Sequence, residues 1–164
     1  MHPNVWKTLF PLPKIKVTQI NAKEDTALKQ KKIQSTIKCP YCGRIAVLRK
    51  ASYVHKNTSD NDYLYVCSGY PNCDAYVGVH TGTKLPKGTL ADAKLRRKRI
   101  ETHQVFDAIW KNGILTRKDA YLWMSDIFCP STAQAHIGHF SHYRCDRLID
   151  ASRKVLQNNH IKIA

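Results

Sequence analysis

The chain has 164 residues, room for one ordinary domain or two small ones, and carries 27 lysines and arginines against 12 acidic residues, a net charge of +15. No apolar run approaches the 18 residues of a membrane span, and the N-terminus Met1-His-Pro-Asn-Val-Trp-Lys lacks the apolar core of a secretory signal, so the reading is a cytoplasmic protein with no membrane partner. The positive excess is spread along the chain, +5 over residues 1–36, +4 over 37–88 and +6 over 89–164; this favours a polyanionic partner, nucleic acid first, over a neutral domain with a basic tail.

Residues 1–36 read as an arm. Pro3, Pro11 and Pro13 interrupt any helix there. Val5, Trp6, Leu9, Phe10 and Leu12 are apolar enough to dock on the protein's own core or on a partner. Ala22–Gln34 could form one helix bearing Lys23, Lys29, Lys31 and Lys32.

Residues 37–80 contain the most informative pattern. Cys39-Pro-Tyr-Cys42-Gly and Cys67-Ser-Gly-Tyr-Pro-Asn-Cys73 are two close cysteine pairs separated by 24 residues. Four thiolates in two pairs suit a tetrahedral ion about 2.3 Å from each sulfur, which is the preference of zinc. Gly43 permits the tight backbone behind the first pair. The alternative is a pair of disulfides or four unrelated thiols, which a reducing cytoplasm disfavours. A four-cysteine site has no open position, so the zinc would be structural and would supply local folding energy. Ile45–Leu48 and Ser52–His55 read as strands of a first hairpin, Asn57–Asp62 as a polar turn, and Tyr63–Val66 and Ala75–Val79 as strands around the second pair.

Residues 81–88 read as a linker from their Gly, Pro and Thr content. The pattern then turns helical. Thr89-Leu-Ala-Asp92 resembles a capping box opening a helix from about 90 to 111, which stops near Asn112-Gly113. Thr116 caps a second helix, running to about Phe128 before Pro130. Ser141 caps a third, with Cys145, Leu148, Ile149, Ser152, Val155 and Leu156 on one stripe. The expected fold class is α+β: a small four-cysteine zinc ribbon followed by a domain of about three helices over 89–164.

Tyr65-Val-Cys-Ser-Gly-Tyr-Pro-Asn-Cys73, with Cys39-Pro-Tyr-Cys42-Gly, resembles the C-terminal zinc modules of type IA DNA topoisomerases. The five-residue gap and Tyr70-Pro71 carry that likeness over roughly 40 residues; nothing else resembles a topoisomerase, and strand passage is not implied. The longer run Cys67–Phe106, with Tyr-Val-Gly-Val-His, Gly-Thr-Leu-Ala-Asp-Ala and Arg-Arg before His103, together with Trp110-Lys111 and His136-Ile-Gly138, is similar to a family of small phage and prophage zinc-finger-containing proteins of unknown function. That resemblance spans most of residues 37–150. It implies a phage or mobile-element origin, hence the host cytoplasm, and no established activity.

The topoisomerase likeness implies that the loop carrying Tyr70 helps hold single-stranded DNA, where an exposed ring can stack on any base. Equally, Tyr70-Pro71 could simply fold the turn. Tyr53, Tyr63, Tyr65 and Tyr76 interleave with Arg44, Arg49, Lys50 and Lys56, as a sequence-tolerant single-strand binder requires, although some of these rings could instead pack on the helices. Lys94-Leu-Arg-Arg-Lys-Arg99 is the densest basic run; Arg96, Arg99 and His103 share a helix face, and Arg97 adds a further cation. Such a helix would lie along phosphates or be merely solvated. Cys129, His136, His139, His142 and Cys145 form a weaker candidate for a second metal, since Cys145 also belongs to an apolar stripe. Glu101, His103 and Asp107 could bind a divalent ion in a nuclease, but there is no Gly-rich phosphate loop and no nucleophile elbow. The preferred reading is therefore a non-enzymatic phage-type protein with one structural zinc that binds single-stranded or distorted DNA. Its rival is a phage-encoded inhibitor or adaptor docking on a host nucleic-acid-handling complex.

Overall fold

Runs rich in β-branched and aromatic residues build the first layer. In the computed structural model β1 (Ala46–Lys50), β2 (Tyr63–Cys67) and β3 (Tyr76–Gly78) form an antiparallel sheet in that spatial order. The register sets Val47 opposite Val66 and Val66 opposite Tyr76. Alternation along the strands gives each face its own cluster. Ala51, Leu64 and Val66 bury one side with Val54, Tyr70 and Tyr76 against them. Cys39, Cys67, Ala75, Val77 and Leu90 bury the other. The structure describes residues 37–56, 62–128 and 135–161. The arm 1–36 lies outside them, as do Cys129 and most of the polar turn.

One expected strand is a turn. Ala51–Tyr53 form a single 3-10 turn, and the Val54 and His55 N–H groups both donate to the Ala51 carbonyl at 3.0 and 2.9 Å. Ala51 is buried and its own N–H takes the Asp62 carbonyl at 2.8 Å. This closes the β1–β2 ladder, so β1 pairs with β2 rather than with Ser52–His55.

The stretch 81–88 has no helix or strand of its own, yet it is held. His80 N–H donates to the Leu85 carbonyl at 2.9 Å and Lys87 N–H to the Gly78 carbonyl at 2.8 Å. Ala91 then bridges back to Tyr76. The chain thus laps over β3 before the helices begin, and the described residues belong to one unit.

Three helices follow: α1 (Ala93–Lys111), α2 (Arg117–Phe128) and α3 (His142–Asn158). The cap of α1 is Asp92, whose Oδ1 accepts from Leu95 N–H at 2.8 Å; Thr89, expected in that role, stands outside the helix. Asn112 ends α1 and Gly113 turns away at φ 71°, a left-handed conformation open to glycine. Thr116 accepts from Asp119 N–H at 3.1 Å and donates to its carboxylate at 2.7 Å. Ser141 caps α3 by accepting from Arg144 N–H. The expected α3 stripe is buried save for half-buried Val155. It packs on α1 in a core containing Phe106, Ile109, Met124, Ile137, Phe140 and Leu156.

Two glycines let the chain leading into α1 cross the segment leading into α3. Thr89 N–H donates to the Gly138 carbonyl at 3.0 Å. A Cβ on Gly88 would stand 2.0 Å from that carbonyl oxygen, and one on Gly138 would stand 2.5 Å from the Lys87 oxygen. No helix among the described residues is long and apolar enough to cross a membrane.

Candidate metal centre

The four cysteines meet because each pair occupies one tight turn and the β1–β2 ladder brings the turns together. In the first, Gly43 N–H donates to the Cys39 carbonyl at 2.9 Å, and Gly43 adopts φ 73°. In the second, Tyr70 N–H donates to the Cys67 carbonyl at 3.0 Å and Cys73 N–H to the Gly69 carbonyl at 3.0 Å. Ser68 N–H reaches the Ile45 carbonyl at 2.9 Å and locks one turn beside the other.

The sulfurs of Cys42 and Cys67 are 3.3 Å apart and those of Cys39 and Cys73 are 3.6 Å apart. All four lie within 4.8 Å of one another. Four sulfurs about 2.3 Å from a tetrahedral ion stand about 3.8 Å apart, so the cage matches such an ion. Disulfides would require sulfurs about 2 Å apart, and all four thiols are free. Cys39 and Cys67 are buried, whereas Cys42 is exposed.

The thiols are unequal. Burial pushes Cys67 up to about 12 and also raises Cys73. The Arg44 backbone N–H, helped by Cys67, draws Cys42 down to about 7. A divalent ion would hold all four as thiolates and release their protons, coupling metal uptake to folding. With such an ion bound, four protein sulfurs would fill a tetrahedral shell.

The cage is tied to α1. Tyr41, inside the first turn, accepts from Asp92 N–H at 3.2 Å through its hydroxyl. Asp74, directly after Cys73, accepts from Ala93 N–H at 2.9 Å and pairs with Arg96 at 3.0 Å. Arg96 also donates to the Asp74 carbonyl at 2.7 Å and to the Ala91 carbonyl. Its guanidinium lies 3.7 Å from the Tyr76 ring centroid.

That arrangement corrects the reading of the basic helix. Arg99, expected to touch phosphate, is buried at 9% exposure and spends its donors on backbone oxygens of Thr89 and Phe140. Arg96 and Arg99 do share a side of α1, but it is the side that packs on the protein. Arg97 is exposed. Lys98 pairs with Glu101 at 3.0 Å and Asp146 at 3.1 Å.

On the ribbon, Arg44, Arg49 and Lys50 are exposed. Tyr70 is half-buried, its ring 5.6 Å from that of Tyr53, over which Arg49 lies at 5.1 Å. Tyr53 is 51% exposed. The sequence alone does not place it beside Tyr70, because Ser52-Tyr-Val-His55 has the composition of a strand while Ala51–Tyr53 form a 3-10 turn. Arg44 lies against Gly69, where a Cβ would meet its guanidinium at 2.7 Å.

The other candidate clusters are not assembled among the described residues. Cys145 is fully buried in the helical core, and burial raises its thiol. It forms no three-ligand group with His136, His139 and His142, and Cys129 lies outside the described residues. Glu101 pairs with Lys98 and Arg153, while Asp107 accepts from Trp110 Nε1 and pairs with Lys111. His103 is exposed and joins them in no ligand group.

The sequence model of one family, described as a zinc-finger-containing domain (DUF3268), matches residues 35–155. No curated protein and no solved structure matches the chain.

Proposed function

We propose, for a chain that belongs to this zinc-finger-containing domain family, that it binds single-stranded or locally distorted DNA through its ribbon, with the four cysteines holding one structural zinc ion. One observation carries the reading: the exposed Tyr53 ring, flanked by Tyr70 and covered on its edge of the sheet by Arg49. A ring beside cations that, among the described residues, have no salt-bridge partner offers base stacking and phosphate attraction together, and neither depends on sequence. Arg44 and Lys50, exposed on the same ribbon, extend the positive field, and Arg97 adds to it from α1. Arg96 and Arg99 are left out, because their guanidiniums are engaged within the protein. Thiolate sulfur in a closed tetrahedral set suits zinc better than a harder ion.

Fluorescence anisotropy with a labelled oligothymidylate tests this. Affinity should fall linearly with the logarithm of salt, with a slope of about −0.7 for each phosphate neutralised on a single strand. An affinity indifferent to salt, or no binding at low salt, overturns the reading. Atomic absorption should find one zinc per folded chain.

A further inference from the structure

Lys94, Arg97, Lys98, Glu101 and His142 line a hollow of about 360 Å³ between the first turns of α1 and the start of α3. That volume accommodates a phosphate with an attached sugar and base, at the small end of ligand pockets. The charges in it are not equivalent. Lys98 is offset by Glu101 and Asp146, and Glu101 is further held by Arg153 at 3.6 Å. Lys94 and Arg97 are exposed and, among the described residues, neither has an ion-pair or hydrogen-bond partner. The walls thus present two uncompensated cations, with His142 as a further nitrogen donor. His142 is also the first residue of α3, on the positive end of that helix's dipole.

Two free cations match a phosphate monoester, which carries about −1.5 to −2 at pH 7, better than an internal diester with its single charge. Arg97 can grip two of its oxygens with the guanidinium fork, and Lys94 supplies a point charge. We propose that this hollow binds a terminal phosphate monoester, from the end of a nucleic-acid strand or from a free nucleotide. The strand-end version rests on the nucleic-acid reading of the ribbon; the pocket itself does not.

The test compares oligothymidylates bearing a 5′ phosphate, a 3′ phosphate or neither, at fixed salt, with thymidine monophosphate as competitor and as a ligand alone. The full chain is used, with Lys94→Gln/Arg97→Gln beside it; both positions are exposed, and circular dichroism checks that the variant is folded. The expected result is about tenfold tighter binding of one phosphorylated oligomer, the size of one added charge-assisted hydrogen bond. That advantage should vanish in the double variant while binding of the unphosphorylated oligomer drops only by the ordinary loss of two charges. Thymidine monophosphate binding to wild type but not to the variant, with no oligomer bound at all, supports the pocket and defeats the ribbon reading. Equal affinity for all three oligomers, with no binding of thymidine monophosphate, defeats the pocket and leaves the ribbon standing; equal affinity with thymidine monophosphate bound by wild type and not by the variant supports the pocket as a free-nucleotide site. A phosphate preference that survives in the double variant overturns the assignment to Lys94 and Arg97, and no binding of any probe overturns both readings.

Discussion

Arg99 donates Nε and Nη2 to the carbonyl of Phe140, at 3.0 and 2.9 Å, from 41 residues away. Its Nη1 and Nη2 take the carbonyl and hydroxyl of Thr89 at 2.9 and 2.7 Å. One side chain therefore fastens the two segments that cross at Gly88 and Gly138. Arg99→Ala would take both guanidinium donors from the buried Phe140 carbonyl and should cost about 3 kcal/mol of stability in urea denaturation. Arg99→Lys should restore little, since an ammonium cannot reproduce the fork. The oligonucleotide affinity of the folded fraction should be unchanged; a fall there with stability intact would return Arg99 to the binding surface.

The glycine crossing makes a sharper comparison. Gly88→Ala places a methyl within 2.0 Å of a backbone oxygen that cannot swing aside. Gly82→Ala meets nothing within 4 Å and suffers only from its φ of 73°. The second should cost about 1–2 kcal/mol, and the first clearly more, with the helical layer displaced. Equal melting temperatures for the two variants would contradict the close approach.

Ser152 is fully buried, and among the described residues its hydroxyl has no hydrogen-bond partner. Removing a buried unsatisfied group restores its desolvation cost, and alanine is the better helix former. Ser152→Ala should raise stability by about 1 kcal/mol, read as a higher urea midpoint at constant slope.

Cys39→Ser leaves three thiolates and opens the cage. Bound zinc should fall well below one per chain, and the ribbon should lose protection from hydrogen exchange. Chelator treatment of the wild type should reproduce this. Amides of α3 should keep more protection than those of β1–β3, since the α3 core is built on Phe106, Leu148 and Leu156 rather than on the metal. A metal-free chain with full ribbon protection would sink the metal-centred account of the fold.

Tyr53→Ala removes the exposed ring and leaves the buried faces of the sheet in place. Stacking is worth about 1–3 kcal/mol per base, so affinity for an oligothymidylate should weaken roughly fivefold to a hundredfold. The salt slope should hardly move, because no charge is lost. Arg49→Ala should do the reverse, flattening the slope with a smaller loss of affinity.

The cysteine set, the Thr116 and Ser141 caps, the stop at Asn112-Gly113 and the α3 stripe could all be read from the chain alone. These are local features: ligand gaps of two and five residues, a cap bonding three residues on, and a helical period all lie within a few positions of sequence. The turn at Ala51–Tyr53 could not be read, because Ser52-Tyr-Val-His55 suits a strand equally well until Asp62 claims the Ala51 amide. The basic run shows the same division more plainly. Composition and periodicity determine that residues 94–99 are cationic and helical. Each helical step turns the side chain by about 100°, so neighbouring cations face different surroundings: Arg96 meets Tyr76 and Asp74, Arg97 meets solvent, Lys98 meets Glu101 and Asp146, and Arg99 meets two backbone carbonyls. The partners of Arg96 and Arg99 lie between 5 and 41 residues away in the chain, and only tertiary packing brings them close enough to decide which charges remain free for a ligand.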